Sequence, residues 1–294
     1  MIGLAHPSLL TIRVAAGFAA LAALAIVVQL AALERSPPVR CPEGLVARGA
    51  RCCGEGQTLV AGRCAGTAAR CGRDHEFVAA EGSFAGCVLR ETRVAIAAGV
   101  LPPGAVDFQL TDRAPKVEVG AFAIDRGEVT ARRYGQCVAA RACPKLPRPL
   151  EAGVPVTGLA PALAEKFCAF AGGRLPSSAE WRLAAGGASG RRFAWGSTGL
   201  VCRRAAFGLL RGPCSSEGSG PDLTGARPAG ATPEGVLDLS GNVAEWTRDP
   251  NGTYRARGGS FRARVAAELL VAAVETAAAS APHVGFRCVY AARN

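Results

Sequence analysis

The sequence predicts an α+β fold with long irregular stretches, preceded by a small disulfide-rich module and an N-terminal transmembrane helix. Three observations predict it. Strand-like alternation and helix-capping signals follow one another beyond residue 91. The 294 residues include 37 glycines and 19 prolines, well above the average share, so loops are plentiful. Twelve cysteines all lie beyond one apolar N-terminal run. With 49% hydrophobic and 19% charged residues, a mostly disordered chain is excluded. The length allows one large domain or two modest ones.

The first element is the run Val14–Leu33, in which Gln29 is the one polar residue. At about 1.5 Å per residue a helix of this length spans about one bilayer core. It is longer than a signal-peptide core, no A-x-A site follows, and no cysteine stands at its end to carry a lipid. Residues 1–37 are therefore expected to be an uncleaved anchor, with a cleaved signal as the alternative. Arg13, Glu34 and Arg35 barely bias its orientation. The cysteines do so better. They form two sets of six, at 41, 52, 53, 64, 71 and 87, and at 137, 143, 168, 202, 214 and 288. An even count beyond a membrane segment points to disulfides in an oxidising compartment, periplasm or cell surface, or to secretion if the leader is cleaved. Zinc is not expected: there is no C-x-x-C, and the histidines are His6, His75 and His283.

The next element, residues 41–90, has too few apolar residues for a core and would be held by three disulfides, whose connectivity the sequence leaves open. A stapled stalk is the simpler expectation than a binding module. Residues 91–294 form the main domain. Val117–Thr130 opens with strand alternation, and Thr130 is the N-cap of a helix through ARRYGQCVAA. Pro161–Gly173 has proline at its start, glycine at its end, and Leu163, Phe167 and Phe170 on one face. Ser177 and Glu180 make a capping box that opens a helix containing Trp181. After Gly186 the chain is expected to run in turns and short extended pieces.

Five motifs then occur in order: GGRLPSSAEWRLAAGG (Gly172–Gly187), FAWG (Phe193–Gly196), GVLDLSGNVAEWTRD (Gly235–Asp249), RGGSF (Arg257–Phe261) and GFRCV (Gly285–Val289). Together they resemble the formylglycine-generating enzyme, or sulfatase-modifying factor, family over about 200 residues from Arg93 onward. The resemblance implies an irregular C-type-lectin-like fold. It also implies copper- and oxygen-dependent oxidation of a sulfatase cysteine, through two cysteines spaced C-x-x-x-x-C after RGGS, whose thiolates suit Cu(I). By register from Ser260 those positions are Ala263 and Glu268, and the family's nearby His and Tyr are Arg264 and Ala267. The family Trp is Ala244, and the Asn before GFRC is His283. Copper is therefore not expected. The resemblance further implies a Cys168–Cys288 disulfide. Cys202 with Cys214 and Cys137 with Cys143 are plausible local loops, which would leave this domain without a free thiol. Iron-dependent relatives use a histidine triad from a helical domain, and with only His6, His75 and His283 scattered along the sequence an iron site is not expected.

The same resemblance implies a calcium loop at Asp238, Gly241, Val243 and Glu245: two carboxylates and two carbonyls for a hard cation. Asn242 would stabilise the turn. The alternative is an Asx-turn in which Asp238 and Asn242 bond their own backbone. A second family calcium site is expected to be lost at Ala206. Arg257, Ser260 and His283 could line a residual pocket, with no orienting acid identifiable. Trp181, Trp195 and Trp246 are expected in the core, and Arg174 and Arg287 as structural donors. No Walker loop, G-x-G-x-x-G or H-E-x-x-H occurs. The net charge of +11 contains no run of five like charges, so nucleic acid is not an expected partner. The expected function is therefore non-catalytic: a membrane-anchored extracytoplasmic domain for a protein, peptide or glycan ligand. An enzyme with an unassigned reaction is the alternative, and formylglycine generation comes last.

Overall fold

The computed structural model describes residues 45–48, 51–60, 63–66, 75–78, 86–90, 92–101, 116–148, 150, 152–215, 220–275 and 277–292. The expected anchor, residues 1–37, lies outside them. Among the described residues no helix is long and apolar enough to cross a membrane.

The cysteine-rich segment is built of antiparallel pairs: β1 (Leu45–Arg48) with β2 (Arg51–Gly54), β3 (Thr58–Val60) with β4 (Arg63–Ala65), and β5 (His75–Val78) with β6 (Gly86–Leu89). Of its six cysteines, Cys53 is buried in a disulfide. The buried Gln57 side chain ties the first two pairs together. It accepts from the Gly54 amide at 2.9 Å and donates to the Gly66 carbonyl at 2.9 Å. The expected three disulfides of this module involve residues that lie largely outside the described ones.

The alternation beyond Val117 gives two strands rather than one. β9 (Val117–Val119) pairs with β8 (Gly99–Leu101), and β10 (Phe122–Asp125) sits between β7 (Arg93–Ile96) and β14 (Val289–Ala291). The register Ile96–Phe122–Ala291 joins the beginning of the domain to its end. Helix α1 (Ala131–Ala139) starts where expected, with Thr130 Oγ1 accepting from the Arg133 amide, and buries Tyr134 and Cys137. Helix α2 (Pro161–Phe170) ends three residues earlier than the pattern suggested, and Gly172 turns the chain at φ +77°. Helix α3 (Ser178–Gly186) carries the full capping box between Ser177 and Glu180.

A second three-stranded sheet holds β11 (Ala244–Arg248) between antiparallel β12 (Tyr254–Arg257) and parallel β13 (Val284–Gly285). The core around these sheets includes Trp181, Trp246, Phe167 and Phe286. Trp195 departs from expectation: it is half-buried, stacked on Phe193 at 5.0 Å between ring centroids. The expected disulfides Cys137–Cys143, Cys168–Cys288 and Cys202–Cys214 are all formed, and no free cysteine occurs among the described residues.

Candidate functional site

The end of β12 and the turn after it build the site. Glu245 lies opposite Arg257 in the β11–β12 ladder. Beyond Arg257, Gly258 and Gly259 take positive φ of +90° and +63°, a double bend that side-chain-bearing residues rarely make. A Cβ on Gly259 would stand 2.3 Å from the Glu268 carbonyl, so only glycine lets the two backbones approach. The Phe261 amide then donates to the Asn242 carbonyl at 2.7 Å, anchoring the turn on the 238–245 loop. The result is a cleft of about 400 Å³ whose walls include Arg257, Ser260, Ala263, Glu268, Glu275 and His283.

The three residues expected to share a pocket therefore do so, and the two positions expected to have lost copper-binding thiols stand in the same walls. The sequence reading missed one partner. His283 Nε2 meets Glu275 Oε1 at 2.7 Å, so the histidine does have an acid beside it. Glu275 is positioned by a backbone bridge to Ala256, with N–H···O distances of 3.0 and 2.9 Å. No local motif marks it, because the contact depends on the chain returning alongside β12. A nucleophilic triad is nonetheless not assembled. Ser260 Oγ accepts from the Arg262 amide at 3.3 Å, and the other histidine nitrogen, Nδ1, is buried without a partner.

Arg257 is 7% exposed. Its Nη1 donates to the Ala273 carbonyl at 3.3 Å, and its Nε is buried without a partner. Burial, reinforced by the positive charges of Arg182 and Arg255, pushes its guanidinium down to about 10.

Behind the cleft lies a buried polar cluster. Arg287 is wholly buried and binds both carboxylate oxygens of Glu245, at 2.6–2.9 Å. It also donates to the carbonyls of Asp125, Arg126 and Leu237. Trp181 Nε1 donates to Glu245 Oε2 at 2.7 Å. Asp238, at φ +58°, accepts from the Gly225 amide at 2.6 Å. Asn242, at φ +59°, accepts from the Asp222 amide and donates to Glu128 at 2.7 Å. Both side chains thus reach distant loops rather than closing Asx-turns on their own backbone. Burial pushes the Asp238 carboxyl up to about 6, and burial with the charges of Asp238 and Glu245 raises Glu128 well above the carboxylate range.

The four expected calcium donors do not fit a calcium cage in this chain. The hydrogen-bonding capacity of Glu245 is committed to Arg287 and Trp181, which leaves Asp238 as the one carboxylate of the set with an oxygen to spare. Copper does not fit either, because Ala263 and Glu268 offer no thiolate.

A sulfatase-modifying factor enzyme 1-like domain is matched over residues 88–292, so the chain belongs to that family. Among relatives it is similar to a formylglycine-generating enzyme of Thermomonospora curvata, with 32% identity over 42% of this chain and 50% of the relative. It is also similar to the inactive Cα-formylglycine-generating enzyme 2 of Mus musculus, with 34% identity over 40% of this chain and 37% of the relative. The chain thus spans half or less of the length of these relatives. Among solved structures the fold resembles that of Treponema denticola variable protein 1, at TM-score 0.55 and 18% identity over 74% of this chain and 99% of that one.

Proposed function

We propose that this domain is a binding domain that has left its family's copper chemistry and kept the cleft. The observation that carries this is the pair of non-thiolate walls, Ala263 and Glu268, in a cleft that remains open at about 400 Å³. The complete pairing of the described cysteines supports it, since no other thiol stands ready to replace the missing pair. We further propose that the domain works outside the cytoplasm on the N-terminal segment, which the paired cysteines favour.

Cu(I) competition against a chromogenic chelator tests the reading. The full-length protein is expected to take up no stoichiometric Cu(I), whereas the double variant Ala263→Cys, Glu268→Cys is expected to gain it. Stoichiometric Cu(I) on the unaltered chain would overturn the reading.

We also propose that the 238–245 loop is held by Arg287 without a bound calcium ion. The support is the Glu245–Arg287 pair described above. The expected result is a melting temperature that does not move between excess calcium and EDTA, and a calcium-dependent rise contradicts it.

A further inference from the structure

We propose that the cleft beside the Gly258–Gly259 turn binds a carboxylate group, with the Arg257 guanidinium as its counter-ion. This rests on the cleft being a binding site and adds the chemistry of what it binds.

The charges around the cleft are unequally answered by the protein. Glu268 Oε1 accepts from the amides of Arg264 and Val265 at 3.0 and 3.2 Å. Glu275 meets His283. Arg262 is exposed to solvent, which screens it. Arg257 has neither remedy. It is 7% exposed, and among the described residues no carboxylate lies within 4.0 Å of it. Asp249, the acid whose charge favours it, is spent on Arg255 at 3.5 Å and on the Ser178 amide at 2.9 Å. A buried cation is costly unless an anion answers it. An anion has a route to it, because Arg257 lines an open cleft.

The class of anion follows from shape and charge. A guanidinium presents a planar fork that matches a carboxylate with two parallel bonds. Glu268 and Glu275 on the same walls repel a dianion such as phosphate more strongly than a monoanion. The exposed Val274 and the half-buried Ala273 on the same walls give a short aliphatic body an apolar surface to rest on.

The test is ligand-observed NMR on the full-length protein with butyrate, its uncharged isostere butyramide, and inorganic phosphate. Butyrate is expected to saturate and to bind about tenfold more tightly than either of the others. Arg257→Gln should remove that preference. If Arg257→Gln does not fold, Val274→Glu serves instead. Val274 is 45% exposed at the cleft wall, so a carboxylate there should weaken butyrate about tenfold without changing the melting temperature. Equal affinity for butyrate and butyramide, tighter binding of phosphate, or no response to Val274→Glu overturns the proposal. Butyramide saturating as well as butyrate would leave a binding cleft without its charge chemistry. Loss of the binding reading itself would instead show as Cu(I) uptake.

Discussion

At the scale of residues, the buried cluster behind the cleft makes two sharp predictions. Glu245 and Arg287 are 1% and 0% exposed, so each depends on the other. Glu245→Gln should cost about 3–5 kcal/mol in urea unfolding, because Arg287 would keep a buried charge without its counter-ion. Asp238 should behave in the opposite way. Its folded pKa of about 6 lies above the usual carboxylate value. The folded state therefore holds the proton more tightly, and the group lowers stability as pH rises towards and past 6. Asp238→Asn keeps an acceptor for the Gly225 amide and a side chain that tolerates positive φ. It should raise the melting temperature by about 3–6 °C at pH 7.5, with the gain shrinking between pH 6 and pH 4. A bound calcium ion would reverse that sign. The sequence marked Asp238, Glu245 and Arg287 through their motifs, but not that the arginine would occupy the glutamate. That pairing spans 42 residues and needs β11 and β13 side by side.

At the scale of elements, covalent and capping features carry the order of the fold. Cys168–Cys288 joins α2 to the approach of β14 across 120 residues, and both cysteines are fully buried. Replacing both by alanine should lower the unfolding free energy by about 3–5 kcal/mol, measured by denaturant titration. A loss below about 1 kcal/mol would mean that the two segments are held mainly by packing. The capped helices were legible because their signals are local: Thr130, Pro161, and the Ser177–Glu180 box lie within a turn of the residues they serve. The Cys168–Cys288 crosslink came with the family resemblance. The β12–Glu275 bridge and the parallel β11–β13 pair were not legible, since pairings of one or two residues carry no periodicity. The same gap hid the acid partner of His283.

At the scale of the whole molecule, the sulfatase-modifying-factor fold carries a cleft in whose walls Ala263 and Glu268 stand at the positions where the family resemblance implies copper-binding cysteines. The family and its architecture were legible because five motifs keep their order across the domain, and each marks a turn or buried contact. The ligand class was not, because the motif marks Arg257 but not its burial without a carboxylate beside it. The net charge of +11 is dominated by arginine, part of it placed in specific ion pairs such as Arg133–Asp125 and Arg227–Asp222. This leaves less of it for a diffuse basic surface. The most direct test of the central claim is turnover. The full-length protein would be incubated with a sulfatase-type Cys-x-Pro-x-Arg peptide, Cu(I) and oxygen, and the peptide followed by mass spectrometry. The expected result is a peptide cysteine unchanged over the background. Conversion of that cysteine to formylglycine, dependent on the protein, would contradict the account.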